Sequence, residues 1–279
     1  MSLRHLVCLF ALWPAGASAA DWSLSLSGGT ATIAGESGQP FVSASLYRYL
    51  GPFYVRAGAA WFDGKGDPDI ADPLPARTRQ ITLGGGYQAG RVLFDAYATL
   101  GRRDFIPPSQ ARTNGRIVRD ETEGSLLTLG GSVTWDAPAG DAWSIAPFAS
   151  LSYSSLDTAR TLVPQAGDPM VQESRRDGVT GIAGLSAERI WPGGSLGAYL
   201  AAAATSNRAS INRQGSGLLA SRTPQLGPAE DKGDSWLEYG LSGSIRLSAD
   251  LSLDAALVRT AGFAQGETTS ASAGVRLQF

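Results

Sequence analysis

Apolar residues alternate with polar or small ones along most of this chain, in segments of roughly ten residues with a period of two. The clearest segments lie near the C-terminus. Leu237, Tyr239, Leu241, Gly243, Ile245 and Leu247 fall on one face, and Glu238, Gly240, Ser242, Ser244 and Arg246 on the other. Beyond Ser248-Ala249-Asp250, the apolar face continues through Leu251, Leu253, Ala255 and Leu257, opposite Ser252, Asp254 and Ala256. Ala271, Ala273, Val275, Leu277 and Phe279 then face away from Ser270, Ser272, Gly274, Arg276 and Gln278. The same grammar runs through 53–62, 80–87, 94–101, 127–135 and 143–153, and more weakly through 22–33, 40–50, 178–190 and 195–206. In the last of these a run of alanines leaves the facing of Tyr199 open. Helical spacing is not sustained anywhere beyond the first residues, so the pattern predicts twelve strands.

The connections between these strands sort by length. Gly51-Pro52, 88–91, 136–141, 191–195 and 248–250 are tight turns, whereas 34–39, 63–78, 102–121, 157–177, 207–234 and 262–267 are longer and polar. With both termini on one side, every tight turn falls on that side and every long connection on the other. A soluble sandwich has no reason to sort its loops this way, whereas a bacterial outer-membrane barrel has short periplasmic turns and long extracellular loops. The expected fold is therefore all-β: a closed antiparallel transmembrane β-barrel of about twelve strands in meander order.

Such strands suit a bilayer. Lipid offers no hydrogen-bond partners, so a spanning sheet must close on itself, and closure removes its edges. A strand tilted by ~45° crosses with ~9–11 residues. The apolar face would meet lipid, and the Ser, Thr and Gly face would line the interior. Trp22, Tyr47, Tyr49, Trp61, Tyr87, Trp135, Trp143, Tyr153, Trp191, Trp236 and Tyr239 cluster at segment ends, which places them in the two aromatic girdles. The interior face carries Glu238, Arg246, Asp254 and Arg276 on the last three strands. Both signs occur in one neighbourhood, and mutual neutralisation is the expected role. The other reading is a charge filter in a pore. Arg56 and Asp95 admit the same two readings.

Composition fits this picture. Charged residues are 17% of the chain, against about a quarter in ordinary soluble domains, and there are 35 glycines. No segment reaches the ~18 apolar residues that a membrane helix needs. The formal net charge is −2, which gives nucleic-acid binding no electrostatic footing. At the N-terminus, Arg4, the apolar stretch Leu6 to Trp13 and Ala17-Ser18-Ala19 form a secretory signal peptide spanning 1–19. Its removal would leave one barrel domain, 20–279, and would take away His5 and Cys8, the only histidine and the only cysteine.

With these features, the final strand Ala271 to Phe279, which ends on an aromatic, resembles that of a bacterial outer-membrane barrel. The stretch Trp236 to Phe279, a Gly- and Leu-rich strand pair before a last strand ending in Phe, is similar to the C-terminal β-domain of autotransporters (type V secretion). The resemblance implies a Gram-negative, porin-like membrane barrel. Val275, Leu277 and Phe279 would serve as the signal read by the barrel-assembly machinery during insertion. The other implied partners are outer-membrane lipid and lipopolysaccharide. The first strand follows the signal peptide directly, without the large passenger usual in that family. Three functions follow: a barrel whose extracellular loops or short exported segment do the work, a small substrate-selective diffusion channel, or a closed structural or adhesin barrel.

Enzymatic outer-membrane barrels rely on histidine, whose pKa suits proton transfer near neutrality. A mature chain without histidine or cysteine excludes those mechanisms, so no catalytic residue, cofactor site or metal site is expected. Asp63, Asp67, Asp69 and Asp72 crowd one loop, but Lys65 breaks the Ca²⁺-loop spacing, and a solvated loop is the better reading. Arg112, Arg116, Arg119, Arg175 and Arg176 fall in outward loops, suited either to lipid phosphate or to a mixed-charge surface. Gly84-Gly85-Gly86 lacks the strand–loop–helix context of a nucleotide site, and curvature or close packing is expected there.

Overall fold

The computed structural model describes residues 21–33, 38–63, 76–105, 117–140, 142–164, 168, 170–206, 234–262 and 267–279. The expected signal peptide, with His5 and Cys8, lies outside these residues, as do Asp67, Asp69, Asp72, Arg112 and Arg116. Twelve long strands follow in chain order: β1 (Trp22–Ile33), β2 (Gln39–Leu50), β3 (Phe53–Asp63), β4 (Ala76–Ala89), β5 (Val92–Phe105), β6 (Ile117–Trp135), β7 (Trp143–Pro164), β8 (Met170–Trp191), β9 (Gly194–Thr205), β10 (Asp234–Arg246), β11 (Leu251–Ala261) and β12 (Thr268–Gln278). A two-residue strand, Ala137–Pro138, pairs with the start of β7.

Each long strand pairs antiparallel with its neighbours in sequence, and β1 pairs with β12, so the sheet closes. At the seam Leu24 lies opposite Leu277 and Leu26 opposite Val275. The backbone ladder runs to the last residue, with the Trp22 amide donating to Phe279 O at 3.0 Å and the Phe279 amide to Trp22 O at 3.1 Å. Closure pairs the backbone groups that an open edge would leave to lipid. No helix among the described residues is long and apolar enough to cross a membrane.

The start of β1, the end of β12 and the tight turns share one end. Gly51 (φ 65°) and Gly90 (φ 60°) each open a two-residue turn, and positive φ at that position lets the chain reverse in step with strand twist. The outward faces carry exposed Ile81, Leu83, Leu100 and Leu151, each with 60–64% of its surface free. A soluble monomer rarely bares so continuous an apolar surface, which lipid would cover.

Two expectations change. First, β5 to β8 run far into the stretches read as loops. Residues 102–105 and 117–121 are strand, as are 157–164 and 170–177. Their polar and charged side chains break the apolar alternation but not the backbone ladder, since Asp157 pairs opposite Arg175 and Thr161 opposite Val171. Second, Tyr47, Tyr49 and Trp236 leave the girdles. They are buried, at 1%, 7% and 6% exposure, on the inner face. Strand parity is the reason: the outward residues are even-numbered on β2 and odd-numbered on β10. Trp61, Tyr87, Trp135, Trp143, Trp191 and Tyr239 do face outward.

Candidate functional site in the barrel lumen

The inner face of β3 to β5 builds a buried polar cluster. Parity turns Tyr54 and Arg56 on β3 and Asp95 and Tyr97 on β5 inward. β4 lies between them, and its Gly86 and Gly84 sit directly opposite Tyr54 and Arg56. A Cβ at Gly86 would stand 2.2 Å from the Tyr54 ring, and one at Gly84 would stand 2.8 Å from Arg56 Nε. Bare backbone at these two positions lets both side chains cross β4 and reach the same carboxylate. Arg56 Nη2 donates to Asp95 Oδ1 at 2.8 Å, and the Tyr54 hydroxyl donates to Asp95 Oδ2. The Arg56 guanidinium also lies 5.5 Å from the Tyr97 ring centroid, within cation–π range. Tyr47, Tyr49 and Tyr54 gather with centroids 6.1–6.5 Å apart, a normal spacing for aromatic pairs.

The pairing of a large inner side chain with a glycine directly opposite recurs around the barrel. Phe41 faces Gly29, Tyr97 faces Gly130, Phe148 faces Gly184 and Tyr199 faces Gly240. In each case a Cβ on the glycine would lie 2.5–2.8 Å from the ring. The rings therefore lie flat across the neighbouring strand and cover backbone that would otherwise be bare. The close packing expected at Gly84-Gly85-Gly86 is one instance of this arrangement.

The four inner charges expected on the last strands divide. Arg276 Nη2 meets Asp254 Oδ1 at 2.9 Å and Ser244 Oγ at 2.9 Å, joining β10, β11 and β12. Glu238 is buried apart from them and accepts a 2.6 Å bond from the Tyr199 hydroxyl. Arg246 stands exposed at the turn end of β10. Neutral hydroxyl pairs fill intervening positions, among them Ser27–Ser43 at 2.7 Å and Thr82–Thr99 at 2.8 Å. Arg56 and Arg276 are each matched by an aspartate, so charge cancels locally.

Val275, Leu277 and Phe279 point outward from β12 with 41%, 41% and 58% of their surface free. On the tall strands the expected loop arginine Arg175 is exposed, 3.7 Å from Asp157. A hydrogen bond with Tyr153, then the Asp157 carboxylate, raise the Arg175 guanidinium above its ordinary range. Arg119 and Arg176 belong to the backbone of β6 and β8. Asp63 ends β3 and binds Arg77 at 3.1 Å. Among the described residues no group of three or more His, Cys, Asp or Glu is placed to hold a metal ion.

Comparison with known proteins agrees with this architecture. The translocator domain of the autotransporter NalP from Neisseria meningitidis superposes with a TM-score of 0.62 at 15% identity, covering 99% of this chain and 94% of that one. The β-domain of the Bordetella autotransporter BrkA superposes at 0.60 and 13%, covering 93% and 99%. An outer-membrane channel from Pseudomonas putida F1 follows at 0.54 and 12%, covering 96% and 100%. These likenesses speak to the fold alone. No curated protein matches the sequence. The family model of the autotransporter β-domain matches residues 55–257, nearly three quarters of the sequence, and this chain belongs to that family of outer-membrane barrels.

Proposed function

We propose that this barrel acts without covalent chemistry, as an integral outer-membrane protein whose activity lies in its extracellular connections or in a short exported segment. The observation that carries this reading is the sorting of the two ends. The start of β1, the end of β12 and the two-residue turns share one end, and the 28-residue connection between β9 and β10 leaves from the other. Export by the signal peptide at 1–19 would set the turn end in the periplasm. The inner face supports a structural role for the lumen, because Arg56 and Arg276 are spent on aspartates rather than lined up as a filter of one sign.

Orientation is tested by a single cysteine at Ser216 in a Cys8→Ser background. Intact cells should label it with a membrane-impermeant maleimide, and labelling only after lysis would contradict the reading. Planar-bilayer recording tests the role of the lumen. The purified barrel should give no steady, solute-selective single-channel currents, and such currents would establish the diffusion channel instead.

A further inference from the structure

The outer wall holds a groove that the barrel's own function does not use. On the outward face, β1, β2, β3 and β12 bring the small residues Gly28, Ala44, Ala59 and Ala273 side by side. Ala44 lies directly opposite Ala59, and Gly28 directly opposite Ala273. Leu26, Val42, Ile81 and Leu100 rise on either side, leaving an open apolar trough of about 920 Å³. Arg79 and Arg102 close its end away from the turns.

These two arginines are directly opposite each other on β4 and β5, and Trp61 of the girdle is directly opposite Arg79 on the other side. Like charges in this cross-strand position repel. The neighbouring acids are already used. Glu123 and Asp104 hold Arg102 at 2.5 and 3.5 Å, and Asp63 holds Arg77 at 3.1 Å. Arg79 is exposed and has no acid partner among the described residues. With no acid on it among the described residues, Arg79 stands beside Arg102 at girdle height and at the head of an apolar trough, a setting that suits an anion with a hydrocarbon tail. Arginine binds phosphate through a planar fork of donors.

We infer that this groove holds one phosphorylated acyl lipid of the outer leaflet, of the lipid A class. An acyl chain lies over Ala44 and Ala59, and a phosphate sits on Arg79 with Arg102 beside it. The inference rests on the outward orientation proposed above, which the Ser216 labelling tests separately.

The test is native mass spectrometry of the folded full chain in nonionic detergent, titrated with lipid A. One lipid should bind per chain. Arg79→Gln should weaken binding about tenfold, the size of one lost charge-assisted contact. Arg79→Lys should keep most of it, and Ala59→Phe should weaken it with both arginines intact. Heat-modifiable migration of each variant on gels verifies that the barrel is folded. Excess inorganic phosphate should not displace the lipid, and dephosphorylated lipid A should bind poorly. Wild-type binding by both Arg79→Gln and Ala59→Phe would overturn the inference. So would equal binding of dephosphorylated lipid, or displacement by phosphate alone.

Discussion

The barrel has a low wall and a tall wall. Strands β10 to β12 and β1 to β3 have 11–13 residues, whereas β6, β7 and β8 have 19, 22 and 22. At about 3.3 Å per residue and a tilt near 45°, the low wall matches the apolar band of a membrane and the tall wall overshoots it roughly twofold. Outward chemistry changes along the tall wall accordingly. Leu129, Val133 and Leu151 face out within the band, and Glu123, Asp157, Glu173 and Arg175 face out beyond it. The same Arg–carboxylate pair thus occurs in two settings. Arg56–Asp95 is closed off inside, with side chains 10% and 5% exposed, and Arg175–Asp157 is open to water, at 64% and 55%. A backbone ladder holds a strand wherever it finds a partner, and the medium decides which side chains that strand can carry.

Six substitutions would break or sharpen this contrast, each read as urea unfolding in lipid vesicles by tryptophan fluorescence. Asp95→Ala strands the Arg56 charge in the lumen and should cost about 3–5 kcal/mol, the range for breaking a buried pair. Unfolding at the wild-type urea concentration would show that water already screens the pair. Leu83→Arg puts a charge into the lipid-facing band and should cost about 2–4 kcal/mol. The same change at Val171, outward on the overshooting part of β8, should leave the midpoint where it is. Equal losses at the two sites would erase the distinction between band and overshoot. Gly86→Ala pushes a methyl into the Tyr54 ring and should cost about 1–3 kcal/mol. Tyr54→Ala should recover part of that loss, and no recovery would place the strain in the backbone instead. Arg175→Ala should shift nothing at low or high salt, because exposed pairs contribute little.

Much of this was legible in the sequence, and the failures are instructive. Alternation located all twelve strands, because a wall with lipid on one face and small polar groups on the other must alternate. It also turned Arg56, Asp95, Asp254 and Arg276 inward. It failed at 157–164 and 170–177, where the outward positions Asp157, Glu173 and Arg175 are charged and exposed, so the apolar half of the alternation is missing. Position at a strand end assigned Tyr47, Tyr49 and Trp236 to the girdles, although parity with Leu46 and Leu237 placed them inside. The ring-over-glycine pairs depend on cross-strand register. Nothing in a linear reading says that Tyr54 lies opposite Gly86, 32 residues further along the chain. Arg79 opposite Arg102 was hidden for the same reason.

The central claim is a barrel closed by its first and last strands, and a disulfide across that seam tests it most directly. In a Cys8→Ser background, Leu26→Cys and Val275→Cys place two thiols on directly opposed residues, within the ~4.4–6.8 Å Cα spacing that a disulfide accepts. After export the pair should oxidise within one chain, and the cross-linked barrel should run with altered mobility on non-reducing gels after boiling. Free thiols in membrane-assembled protein, with neither residue cross-linked to the other, would contradict closure between β1 and β12.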